Sequence, residues 1–207
     1  MERVFISYHH KREQRIKEEL LNLDQRYQLF VDCSVTTGDI DERLAPQEIR
    51  QKIRQEYLSE STVLLLIVGR ETRYRKHVDW ELYSSMYNGS TFGRSGVVVI
   101  LAPDCQSDFY TAPFDRVKES LYPGTTSWKS IESREEFESR YEHLPSRIID
   151  NLLMPKSLIS VINWSKIQEN PMHLRLLIGC VHDARGEIEY DMSREMRMRD
   201  HNLGVFV

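Results

Sequence analysis

The chain has 207 residues, 40% of them hydrophobic and 29% charged, with a formal net charge of −4 at pH 7. That suits one full core in a globular protein and gives no broad electrostatic reason to expect nucleic acid or an anionic membrane as partner. No stretch approaches the roughly 20 apolar residues of a spanning helix. Cys33, Cys105 and Cys180 are odd in number and widely spaced, which suggests neither a disulfide framework nor a zinc site. Met1-Glu2-Arg3 leads into a strand pattern and not a signal peptide, so a reduced, cytoplasmic protein is expected.

Val4-Phe5-Ile6-Ser7-Tyr8 predicts a first strand, and residues 9–13 a polar loop into a helix with Ile16, Leu20 and Leu23 on its inner face. A short second strand, Gln28-Leu29-Phe30-Val31, ends at Asp32 and gives way to a polar loop over 32–45 with turn chemistry. Pro46 suits the first turn of a helix whose inward stripe is Ile49, Ile53 and Tyr57. The unbroken apolar run Val63–Val68 reads as a strand buried on both faces, and residues 78–88 as a helix with Val78, Leu82 and Met86 inward. Gly96–Leu101 is another buried strand.

From 103 to about 157 the pattern degrades into an irregular insertion with one charged helix near 134–141. A fifth strand is expected at 158–162 and a last helix after Asn170-Pro171, carrying Leu174, Leu177 and Val181. The alternation implies an α/β fold with a parallel sheet and helices on both faces. It divides the chain into a single domain over 1–186 and an extension over 187–207 that the pattern does not place.

The polar loop 70–76 leaves the carboxyl end of a central strand, where open α/β sheets place their ligands. Just beyond it stand Trp80 and the acid Glu81. His77, Glu81, Ser84 and Ser85 share one stripe, opposite Val78, Leu82 and Met86. A glutamate on a helix is usually solvated surface and a helical tryptophan usually core. No GxGxxG, GxxxxGK[ST] or GxSxG occurs, which argues against a dinucleotide dehydrogenase, a P-loop and the common hydrolase elbow. His9, His10 and Glu13 have no second ligand pair, so no metal is expected.

Phe5-Ile6-Ser7-Tyr8, the loop opening at Asp32, and a third strand leading to a helix with an acid resemble a TIR domain. Leu66-Ile67-Val68-Gly69 followed by Thr72, Arg75, Val78, Trp80 and Glu81 is similar to the TIR-like (ThsB-like) family of bacterial Thoeris anti-phage defence proteins. Leu144-Pro145-Ser146-Arg147 with Asp150-Asn151 is similar to it too, so the likeness spans about residues 3–182. It implies a flavodoxin-like TIR-type fold with a central five-stranded parallel sheet.

The resemblance also implies an NAD nucleosidase or ADP-ribosyl cyclase. NAD is its substrate, no cofactor is needed, and the product is an ADP-ribose-derived, typically cyclic, signalling nucleotide that switches on a separate effector. Glu81 is then the catalytic acid. The substrate-binding set is Ser7, Tyr8, His9, Phe30, Asp32, His77 and Trp80, although strand-end capping equally explains Ser7, Tyr8 and His9, and core packing Phe30. Where many TIR enzymes carry an aromatic one turn before the glutamate, this chain has His77. Arg70, Arg73, Arg75 and Lys76 offer a pyrophosphate partner or a solvated surface. Self-assembly through TIR surfaces is a further expectation. The alternatives are a non-catalytic TIR interaction module, with contacts on the 32–45 loop, and a nucleoside deoxyribosyltransferase-like enzyme.

Overall fold

The computed structural model describes residues 1–34, 41 and 43–200. In chain order its elements are β1 (Arg3–Ser7), α1 (His10–Tyr27), β2 (Val31–Asp32), α2 (Pro46–Glu56), β3 (Val63–Val68), α3 (Lys76–Met86) and β4 (Gly96–Leu101). They continue with α4 (Asp115–Leu121), α5 (Arg134–Arg140), α6 (Ser146–Leu152), β5 (Ser160–Asn163), α7 (Trp164–Glu169) and α8 (Met172–Ala184). The five strands form one sheet in the order β2-β1-β3-β4-β5, and every pair is parallel. This is the flavodoxin-like order, which reverses direction between β1 and β3. The expected five-stranded parallel α/β fold is thus what the chain adopts.

The apolar runs explain which strands sit inside. Val63–Val68 are all 0% exposed, as a central parallel strand covered on both faces must be. Side chains alternate between two cores. Val4, Ile6 and Tyr8 point to the side of α1, α4, α7 and α8, while Phe5, Leu64 and Leu66 point to α2, α3, α5 and α6. Gly96 lets α8 approach β4 closely: a Cβ there would strike the Val181 carbonyl and side chain.

β3 and β4 fall where the sequence places them. β2 shortens to two residues, and α1 begins at His10, inside the stretch read as a loop. The insertion holds three helices and not one, because α4 and α6 are each only seven residues and show too little periodicity to read. Half of the 32–45 loop, including its turn, lies outside the described residues.

The largest difference is at the C-terminal extension, whose described residues, 187–200, pack as an irregular strap against α3 and α6. Ile188 is 0% and Met196 7% exposed. The Tyr190 hydroxyl donates to the Ser95 carbonyl at 3.0 Å. Asp191 and Asn151 exchange two hydrogen bonds, at 2.8 and 3.2 Å. Among the described residues no helix is long and apolar enough to cross a membrane.

Candidate functional site

Glu81 sits in the middle of α3, on the face turned toward the carboxyl end of β1. Ser7 is the last residue of β1 and lies two positions after Phe5, so the pleat aims it at the same side of the sheet as α3. There the Ser7 hydroxyl donates to Glu81 Oε2 at 2.6 Å. Ser7 is 1% and Glu81 5% exposed. Burial pushes the Glu81 carboxyl up to about 7, with the Ser7 hydrogen bond and the Lys17 charge pulling the other way. The pair stands where β1 adjoins β3, the position at which this strand order opens its crevice.

α3 is covered on nearly every side, which departs from the amphipathic helix expected. Ser84 and Ser85 on the polar stripe are 1% and 0% exposed. The reason is the strap: α3 packs on the sheet with one face and receives the C-terminal extension on another.

A second buried acid, Glu13 of α1, lies against the start of the loop after β3. Glu13, 3% exposed, accepts from the His9 amide at 3.0 Å and the Thr72 hydroxyl at 3.3 Å. Thr72 Oγ1 in turn accepts from the Gly69 amide at 2.9 Å. The Glu13 carboxylate lies directly against Gly69 Cα, in space a Cβ would fill. The loops after β1 and β3 are therefore clasped together, and the Glu13 carboxyl is also raised by burial to about 7. Glu13 is three and seven residues before Ile16 and Leu20. An acid in register with a core stripe is the sequence signal that marks it.

The remaining candidates are spread unevenly around this centre. Tyr8 points to the opposite core, stacks on His10 with ring centroids 4.4 Å apart, and donates to Gln14 at 2.7 Å. Burial and the Glu81 charge raise its phenol above its ordinary value. His9 is half-buried at the start of α1; burial, then the charge of Arg75, lower its imidazole. Phe30, 3% exposed, packs in the α1-side core. Asp32 is exposed and closes a turn by accepting from the Ser34 amide at 2.8 Å. His77 is exposed and meets Trp80 edge-on at 4.9 Å.

Trp80 takes the core placement usual for a helical tryptophan. It is 0% exposed, and its indole Nε1 donates to the Arg197 carbonyl at 2.6 Å, so the strap closes over it. Sequence reasoning also missed why Arg147 matters. Its guanidinium, on α6, forks onto both Asp79 oxygens at 2.9 and 3.1 Å and donates to the carbonyls of Arg194 and Glu195. Asp79 accepts further from the Arg197 amide at 2.8 Å. Among the described residues no group of His, Cys, Asp and Glu is arranged to hold a metal ion.

A protein-family model described as "Thoeris protein ThsB, TIR-like domain" matches residues 5–107, from β1 to just past β4. No curated protein matches the chain. The match takes in Ser7, Glu13, Gly69, Thr72 and Glu81, and stops before α6 and the strap. The parallel sheet in flavodoxin-like order and the family match agree: the chain belongs to the TIR-like domain family of the Thoeris protein ThsB.

Proposed function

We propose that this defence-related TIR-like protein cleaves the bond between nicotinamide and ribose in NAD. The ADP-ribosyl part becomes a diffusible, cyclic nucleotide that activates a separate effector. The observation that carries this reading is the buried Ser7–Glu81 pair at the β1/β3 switch point.

In this reading the C1′–N bond breaks with its electron pair moving to the pyridinium nitrogen, so nicotinamide leaves neutral and no general acid is needed. Positive charge develops on C1′ and the ring oxygen, and the Glu81 carboxylate faces it. Ser7 fixes Oε2, which leaves Oε1 for the sugar hydroxyls. A nucleophilic atom elsewhere in the same molecule then bonds to C1′, its proton passing to solvent, and closes the cyclic product. One carboxylate suffices because the rest of the rate comes from positioning.

Glu81 must be ionised to act, and its value near 7 leaves it partly protonated at neutral pH in the free protein. The cationic pyridinium of the bound substrate favours the carboxylate. At 5% exposure the acid is also nearly sealed, so substrate entry requires neighbouring residues to part. That fits an enzyme held quiet until infection or assembly releases it.

The test compares wild type with Glu81→Gln in phage-challenged cells, following NAD and ADP-ribose-derived nucleotides in extracts. Wild type should yield a new nucleotide and the variant none. Protection by Glu81→Gln, with no nucleotide from either, overturns the enzymatic reading in favour of an interaction module.

A further inference from the structure

Asp79 is two residues from Glu81, roughly 200° around the helix axis. On that far side of α3 lies a cavity of about 210 Å³ walled by Arg73, Arg75, Arg147, Arg194, Arg197 and Ser146. Among the described residues five arginines and two acidic residues, Asp79 and Glu195, line it. A neighbouring cavity of about 420 Å³ shares Arg73, Ser146 and Arg197 and adds Tyr74 and Tyr141.

The charges are not equally spoken for. Arg147 is matched by Asp79, Arg194 by Asp150 and Arg75 by Glu71. Arg73 donates, among the described residues, to neutral acceptors, the Glu142 carbonyl and the Tyr74 hydroxyl. Among the described residues Arg197 has no carboxylate partner. Arg73 Nε, Arg75 Nε and Arg197 Nη1 are buried N–H groups with no acceptor among the described residues. Leaving charged donors buried and unmet is costly, and guanidinium clusters of this kind suit an anion with several acceptor oxygens. The strap already supplies one anion at the adjoining edge: Asp200 accepts from the Lys76 amide at 2.8 Å and lies 3.8 Å from Arg75. It leaves Arg73 and Arg197 without a carboxylate among the described residues.

We propose that this arginine-walled cavity between α3, α6 and the strap binds the phosphate or pyrophosphate group of a small molecule, as a site separate from the Glu81 centre. Its occupant bridges Arg197 of the strap, Arg73 of the loop after β3, and the start of α6. Binding therefore tightens the clamp that holds α3.

The experiment is thermal unfolding of the full chain at constant ionic strength with sodium pyrophosphate, inorganic phosphate or ADP, against matched sodium chloride. Pyrophosphate should raise the unfolding temperature saturably. The double variant Arg73→Gln/Arg197→Gln should weaken half-saturation by at least about tenfold, the loss of one or more charge-assisted hydrogen bonds. Arg197→Lys keeps the charge but not the fork; it should shift half-saturation the same way by less, and it serves if the double variant does not fold. Glu81→Gln should bind pyrophosphate like wild type, which keeps this outcome independent of the NAD reading. Equal response to inorganic phosphate identifies a free-phosphate site, and preference for pyrophosphate and ADP a nucleotide site. A non-saturating response equal to chloride overturns the proposal, as does saturation that survives in the arginine variants or is lost with Glu81→Gln.

Discussion

The Ser7 hydroxyl reaches Glu81 Oε2 at 2.6 Å across 74 positions of sequence, joining the end of β1 to the helix that follows β3. That bond favours the ionised acid, while burial opposes it. Ser7→Ala should therefore raise the Glu81 value further. In NAD-cleavage assays the alkaline rise of kcat/KM should move to higher pH, with activity at pH 7 down about tenfold and largely recovered near pH 9. A uniform loss at every pH would show that Ser7 acts on position alone.

The buried acids also set how stability depends on pH. Glu81 and Glu13 have folded values near 7 against 4.5 for the free side chain. The folded state then holds more protons than the unfolded one between those limits, so stability falls as pH rises from about 4.5 to 7. Glu81→Gln removes that loss and should unfold some 5 °C above wild type at pH 8, with little difference at pH 5. Melting curves at the two pH values check it.

Gly69 and Glu13 occupy mutually exclusive space once a Cβ is added. Gly69→Ala should destabilise the chain by about 1–3 kcal/mol in urea unfolding. Adding Glu13→Ala should cost less on the Gly69→Ala background than on wild type, because the carboxylate is already displaced. Full additivity would show that the two do not interact.

Arg147 and Asp79 form a buried fork whose remaining donors and acceptors are spent on strap carbonyls and an amide. Removing one partner strands the other, so Asp79→Ala should cost about 3–5 kcal/mol. Truncation after residue 190 should act on the same network, and the two losses should not add when measured by urea unfolding.

Trp80 precedes Glu81 in sequence yet is 0% exposed beneath the strap. Trp80→Phe loses the hydrogen bond to Arg197 and should reduce stability by about 1–3 kcal/mol. KM for NAD should change less than about threefold in steady-state assays. A tenfold rise in KM would instead place the ring against substrate.

The sheet was legible because its central strands are unbroken apolar runs with no competing period, and β3 and β4 begin and end where those runs do. Glu81 was legible from its place after a central strand together with the family motif. The fate of Trp80 was not. Its burial depends on residues 117 positions later, in a segment with neither helical nor strand alternation. Hydrogen bonds from irregular backbone leave no pattern in side-chain order. Glu13 lay between: its register with Ile16 and Leu20 was visible, but charge argued for the surface, and only the missing side chain at Gly69 explains how a carboxylate fits inside.

The strap has a consequence for synthesis. α3 carries the acid but takes its clamp from Arg197, Glu195 and Arg194, which leave the ribosome more than a hundred residues after it. Until they emerge, Asp79 and Arg147 lack their shared partners and Trp80 lacks its cover. A nascent chain therefore presents a finished sheet and an unsecured α3, so the later-made strap also decides when the Glu81 centre becomes whole.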